Sequence, residues 1–178
     1  LDYNVEFTVD SNTVTELTAA GNYTVYYIVT ADNHAPASGD FTLHIQKNTL
    51  VWSTEYSRGD WTYGDTATAE TTPVAKFANG TAANGIIGTA AIEYFTDSSR
   101  TQAYDGSFDS ATPAGTYYVT VTVAGSEGNF DALVGQYSFT VQRAALTITA
   151  NNFNIVYNAE VPTYTATIEG FVNGETAE

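Results

Sequence analysis

The stretch AGNYTVYYIVT at Ala20–Thr30 returns as AGTYYVTVTVA at Ala114–Ala124, 94 residues later. DFTLHIQKNTLVW at Asp40–Trp52 returns as QYSFTVQRAALTI at Gln136–Ile148, 96 residues later. WTYGDT at Trp61–Thr66 matches IVYNAE at Ile155–Glu160, and FANG at Phe77–Gly80 matches FVNG at Phe171–Gly174. A chain that repeats at a near-constant spacing folds as a series of like modules, so this feature constrains the fold more than composition does. The two-residue difference in spacing falls in the loop between the first two matches, where length changes are tolerated. The repeat frame divides the chain into the back part of one repeat at 1–47, a complete repeat at 48–143 and the front part of another at 144–178. Asn4–Val9, at the front of the first piece, corresponds to Ala91–Thr96.

Within the repeat the apolar residues alternate. Tyr23, Val25, Tyr27 and Val29 share one face, and Thr24, Tyr26, Ile28 and Thr30 the other. The later copy places Tyr117, Val119, Val121 and Val123 inside, with Tyr118, Thr120 and Thr122 outside. Phe41/Leu43/Ile45, Tyr137/Phe139/Val141, Leu50/Trp52 and Leu146/Ile148 follow the same rule. A period of two in β-branched and aromatic residues predicts strands. Asn79-Gly80, Asn84-Gly85 and Asp105-Gly106 are expected to supply the positive φ that tight turns need. The one helical turn that the pattern admits lies at Gly170–Ala177. Lys47 and Asn48 alone separate TLHIQ from TLVW, and Arg143, Ala144 and Ala145 alone separate FTVQ from LTI. Linkers this short cannot act as flexible tethers, so consecutive repeats are expected to abut as a semi-rigid rod.

Charge narrows the partners. Five Lys and Arg face 20 Asp and Glu, a formal net charge of −15. Such a chain repels phosphate backbones and anionic lipid, which argues against nucleic-acid binding and membrane association. No apolar run approaches the length of a membrane span. The absence of cysteine excludes disulfides and thiolate sites. Leu1 opens the chain without a start methionine or a cationic-then-apolar leader, which points to a segment of a longer polypeptide.

The segment LTITANNFNIVYNAEVPTYTATIEGFVNGETA at Leu146–Ala177 resembles the front of the YGX-type MBG repeats of bacterial surface adhesins. Those repeats run from a strand to Tyr-Gly-Asp, a Pro-Thr-Tyr-Thr strand and Gly-Phe/Leu-Val-Asn-Gly. Asn158 and Ala159 stand here where Gly-Asp is usual, whereas the central repeat keeps Tyr63-Gly64-Asp65. Its ending, AGTYYVTVTV followed by YSFTVQRA, is similar to the close of such repeats. The resemblance implies a large exported protein on the bacterial cell surface, whose repeats act as spacers or project an adhesive tip. It also implies a mainly β fold of tandem small immunoglobulin-like β-sandwich repeats, or alternatively a β-grasp-like sheet with one short helix.

Catalytic groups are scarce. His34 and His44 match Phe130 and Thr140 across the repeat, so neither belongs to its shared plan. With no Cys and so little His, neither a hydrolytic triad nor a transition-metal cluster is expected. No catalytic residue is assigned, and no cofactor is expected apart from calcium, which takes oxygen ligands. The calcium candidates are Asp97, Asp105 and Asp109, none in an EF-hand pattern. Lys47 matches Arg143, which leaves Lys76 as the one lysine able to form an internal isopeptide cross-link in the central repeat.

Two features invite a binding role. Arg58-Gly59-Asp60 is the tripeptide that integrins read on exposed turns, and it falls in the connection between the first two strands of the repeat, where a turn is expected. The second copy has no counterpart. Tyr26 and Tyr118 are the tyrosines whose strand parity points outward, where aromatic rings engage sugars or proteins. Three roles follow: a non-enzymatic stalk, a direct adhesive module for host glycan or surface protein, and a subunit that completes its fold head-to-tail with neighbouring copies. Partners are accordingly neighbouring repeats or copies, with host ligands as the alternative.

Overall fold

A computed structural model describes residues 2–81 and 85–177. Among these the chain is all β, with no helix. The strands run β1 (Tyr3–Val9), β2 (Asn12–Thr13), β3 (Gly21–Ala31), β4 (Ala37–Ile45) and β5 (Leu50–Thr54). Next come β6 (Ser57–Arg58), β7 (Trp61–Thr62), β8 (Glu70–Thr71), β9 (Val74–Phe77) and β10 (Ala91–Phe95). The last four are β11 (Gly115–Val123), β12 (Leu133–Gln142), β13 (Thr147–Ala150) and β14 (Ala166–Glu169). They gather into two compact units. One comprises Leu1–Ser53, Val74–Ala90 and Thr122–Val134, the other Thr54–Pro73, Ala91–Val121 and Gly135–Glu178. Residues 48–143, the complete repeat of the sequence frame, contribute to both.

The first unit carries an antiparallel sheet in the order β2-β1-β3-β4. Asp10 and Ser11, both at positive φ, make the two-residue turn whose twist suits the β1–β2 hairpin. Along β3 the expected alternation holds, with Val25 buried and Tyr23, Tyr27 and Val29 half-buried, while Thr24, Tyr26, Ile28 and Thr30 are exposed. β5 pairs with β9, and Leu50, Phe77, Val123 and Phe130 form a buried cluster with Trp52 and Leu133 against it. Phe77 meets Phe130 edge-on at 5.3 Å. Asn129 ties this cluster to residues on either side of β4. Its carbonyl accepts from Asn48 N at 2.8 Å, and its Oδ1 accepts from Ala20 N at 2.7 Å.

The second unit is built on the sheet order β10-β11-β12-β7. β7 joins β12 in parallel, Trp61 opposite Val141 and Thr62 opposite Gln142. Tyr117, Val119, Val121, Phe139 and Val141 are buried on one face, in the parity the sequence predicts. Trp61, Phe139 and Tyr117 stack in turn, Trp61 on Phe139 at 5.4 Å and Phe139 on Tyr117 at 5.5 Å. Phe108 abuts all three edge-on, at 6.2, 5.1 and 5.3 Å. Edge-to-face and offset pairs at these separations are the favoured aromatic geometries.

The repeat shows in side-chain detail. Tyr23 Oη donates to Ala19 O, and Tyr117 Oη donates to Pro113 O, each at 2.9 Å and each four residues upstream. Thus the same hydroxyl closes the same turn in both copies.

The structure departs from the sequence reading in three places. The helical turn expected at Gly170–Ala177 is absent, and with it the short helix of the β-grasp alternative. Asn173 and Gly174 instead make a reverse turn at φ 53° and 79°. Gly80 and Gly85 have the expected positive φ, but Gly106 does not. Its glycine serves close packing, since a Cβ there would lie 2.6 Å from Tyr104 Oη. Asn84 lies outside the described residues. Finally, Leu146, just before β13, and Ile148 within it are 55% and 68% exposed, against the inward face that the pattern predicts.

Val121→Ala is expected to lower the unfolding free energy by about 2 kcal/mol, since a fully buried side chain loses its transfer energy and leaves a void. Tyr117→Phe, which deletes one hydroxyl bond, is expected to cost about 1 kcal/mol. Urea titration of both variants checks the two values.

Candidate functional site

The Arg58-Gly59-Asp60 turn lies between β6 and β7. β6 pairs with β8, placing Arg58 opposite Glu70 and Ser57 opposite Thr71, and Ser57 Oγ donates to Thr71 Oγ1 at 2.9 Å. The following strand, β7, buries Trp61. A chain entering β7 from this direction brings the Arg58 side chain over the aromatic stack. The guanidinium carbon sits 4.8 Å from the Phe108 ring centre, 5.4 Å from Phe139 and 5.9 Å from Trp61. Nη1 donates to Thr68 O at 3.1 Å and Nη2 to Glu70 Oε2 at 3.0 Å. The Arg58 side chain retains 9% exposure.

The expectation of a displayed tripeptide is therefore corrected. Arg58 is turned inward and its charge is committed to Glu70 and three rings. Gly59 O accepts from Thr68 Oγ1, and Asp60 Oδ1 accepts from Thr140 N at 2.7 Å. Arg58 Nε and Tyr56 Oη are buried without hydrogen-bond partners. An unpaired buried donor costs about 1–3 kcal/mol, so the two guanidinium bonds and the ring contacts must offset it. Cation–π contacts strengthen as water is excluded, which is the condition here.

Glu70 is shared. Besides Arg58 it accepts from Tyr94 Oη at 2.5 Å. Partial burial, the largest single influence, pushes the Glu70 carboxyl up, but the hydrogen bonds from Tyr94 and Arg58 together outweigh it and hold it below the usual carboxylate range. Tyr94 is driven well above the ordinary phenol range by burial and by donating to Glu70. Tyr56, Glu70, Tyr94 and Phe108 were not singled out by sequence reasoning. β6, β7 and β8 are two residues each, too short for a periodic signal, and the partners come from distant segments.

The remaining candidates are dispersed. Tyr26 is 53% exposed on β3, opposite Asp40 of β4. Tyr118 points outward as expected, but the Arg100 guanidinium lies 5.7 Å from its ring centre and occupies that face. Asp97 accepts from Gln102 N at 2.7 Å and from Thr101 N at 3.0 Å, and the Gln102 bond above all holds its carboxyl below the usual range. Asp109 accepts from Ala111 N at 2.8 Å, and Asp105 is exposed in the preceding turn. Among the described residues no group of three or more His, Asp or Glu converges as a metal site. Asp97 and Asp109 thus cap turns separately. His34 Nδ1 lies 2.7 Å from Asp32 O and His44 Nδ1 2.6 Å from Asn22 Oδ1, both exposed. No helix among the described residues is long and apolar enough to cross a membrane.

The Arg58–Glu70 contact makes stability depend on pH. A carboxyl whose folded value is depressed contributes stability that is present above its unfolded value and lost as pH falls through the folded one. Unfolding free energy is therefore expected to drop as acid is added below the usual carboxylate range, and Glu70→Gln should flatten that part of the profile. Arg58→Ala should cost about 2–3 kcal/mol at neutral pH, the scale of charge-assisted hydrogen bonds plus desolvated ring contacts. Denaturant titrations across pH measure both.

Comparison with known proteins bears on one end of the chain. No curated protein matches it. The segment that opens with β13 and ends beyond β14, residues 146–178, matches the model of the MBG domain (YGX type).

Proposed function

We propose that this chain is a non-enzymatic spacer, a run of tandem immunoglobulin-like sandwich repeats in the stalk of a bacterial surface adhesin or extracellular filament. The repeats are divided at 1–47, 48–143 and 144–178, and they stand outside the cell. The observations that support this reading are hydrogen bonds and close packing beside the two short linkers of the repeat frame. At the first passage Asn129 binds both Asn48 and Ala20 through its backbone and side chain. At the second, Tyr63 Oη donates to Glu175 Oε1 at 2.8 Å and Asn173 Nδ2 donates to Ser110 O at 2.9 Å. Gly64 sits there at φ 97°, and a Cβ on it would lie 2.7 Å from Val172 Cβ. Passages tied by hydrogen bonds and close packing resist bending, and stiffness is what a spacer supplies. The paired tyrosine hydroxyls of Tyr23 and Tyr117 support the sandwich assignment, since a hydroxyl bonded a few residues upstream marks such corners.

The inward Arg58 favours the spacer over a direct adhesive role, because a committed cation cannot be offered to a receptor. Glycan arrays and host-protein panels probed with the chain are expected to be blank. Saturable binding that Tyr26→Ala or Tyr118→Ala abolishes would replace the spacer with an adhesive module. Gly64→Ala should loosen the second passage, because it adds both backbone strain and a clash with Val172. Limited proteolysis should then cut within 144–178 several-fold faster while the fluorescence of Trp52 and Trp61 stays native, and equal cleavage in both proteins would refute the stiff passage.

A further inference from the structure

Residues 56–63 run beside residues 137–142 in the same chain direction. Tyr56 packs on Tyr137 at 5.5 Å, and Asp60 Oδ1 accepts from Thr140 N at 2.7 Å. Trp61 then lies opposite Val141 and Thr62 opposite Gln142 in a parallel ladder, and Tyr63 N donates to Gln142 O at 2.8 Å. β7 is the edge strand of the β10-β11-β12-β7 sheet, held to it through β12. Parallel order has a mechanical consequence. Tension that enters β7 at its N-terminal end and leaves β12 at its C-terminal end pulls on opposite ends of the ladder, so the strands must slide. In an antiparallel pair the same two ends are neighbours, and the pair peels open.

We propose that the β7–β12 pair is a shear lock, which carries tension along the chain and keeps the central repeat closed under load. The inference deepens the spacer reading, on which its purpose rests. Sliding displaces every bond of the ladder by the same amount, so all of them must break in one step. Peeling breaks them one at a time from the fork. Forced unfolding is governed by the height of the barrier and not by equilibrium stability, so bonds that break together resist far more than the same bonds broken in sequence.

Side chains reinforce the ladder. Asp60 adds a charge-assisted bond to the main chain of β12 just before the paired residues begin, and such bonds are stronger than neutral ones. Trp61 stacks on Phe139 at 5.4 Å and meets Phe108 edge-on at 6.2 Å. Sliding β7 drags the indole off these rings and exposes apolar surface to water. Upstream, Arg58 is held by Thr68 O and Glu70 Oε2. The Asp60 carboxylate thus has a mechanical role that a displayed receptor motif would not give it.

The test is single-molecule force spectroscopy on the full chain. Because the chain has no cysteine, paired cysteine substitutions at exposed positions fix where force is applied. Glu55→Cys with Arg143→Cys loads β7 and β12 in shear, and Asp65→Cys with Arg143→Cys pulls their adjacent ends apart. Rupture is identified by the release of about 3.6 Å of chain per residue between the handles. The shear pair is expected to rupture at several-fold higher force than the peeling pair. Asp60→Ala should lower the shear force and leave the peeling force unchanged, and Asp60→Asn, which keeps an acceptor, should restore it. Circular dichroism confirms that each variant is folded. Equal forces in the two geometries, or an Asp60→Ala change that lowers both alike or neither, overturns the proposal. Either result leaves the spacer reading standing, since that depends on the ligand panels and the proteolysis, and ligand binding there would leave the force comparison intact.

Discussion

The constraint on which the second unit depends is that a sheet with one apolar face must be covered. β11 and β12 present Tyr117, Val119, Val121, Phe139 and Val141 on one side, and leaving that surface in water would cost tens of calories per Å² of apolar area. Trp61 covers it. Its ring stacks on Phe139, which stacks on Tyr117, and its strand joins the sheet beside β12. The parallel β7–β12 pairing matters because it brings a distant segment to the face and fixes its register by backbone bonds. Everything else in that region, including the inward course of Arg58, follows from seating Trp61.

Arg58 shows how a surface motif becomes interior. A guanidinium is planar and weakly hydrated, so it tolerates stacking on rings better than an ammonium would. Here it lies between the aromatic cluster and Glu70, which Tyr94 also binds. A carboxylate shared by two donors and a cation facing three rings form one network, and none of its members is available for display without disturbing the others. The tripeptide therefore reads as architecture: an arginine that anchors, a glycine whose carbonyl is capped by Thr68, and an aspartate that holds Thr140 on β12.

The segments around Asn129 and Tyr63 use the same economy. Asn129 employs its carbonyl and its side-chain oxygen to hold two separated stretches. Tyr63 and Gly64, from the Tyr-Gly-Asp motif, contact Glu175 and Val172 next to the Val-Asn-Gly turn. Residues of Tyr63-Gly64-Asp65 thus meet the segment around Asn173-Gly174, and at position 64 glycine permits both the positive φ and the approach of Val172.

Much of the fold was legible in the sequence because strand parity depends only on the period of two. Val119 and Val121 inside, Thr120 and Tyr118 outside, and the Asn79-Gly80 turn all follow from local chemistry. The match of Tyr23 with Tyr117 was legible too, whereas the upstream carbonyl that each hydroxyl meets came from the structure. What only the tertiary structure decided was the fate of residues whose partners lie far away. Nothing within YSRGDW announces Phe108, Phe139 or Glu70, so the direction of Arg58 was settled by long-range packing. Likewise Leu146 and Ile148 carry core-like patterning but remain exposed, because patterning states which side of a strand is apolar, and burial requires another surface to meet it.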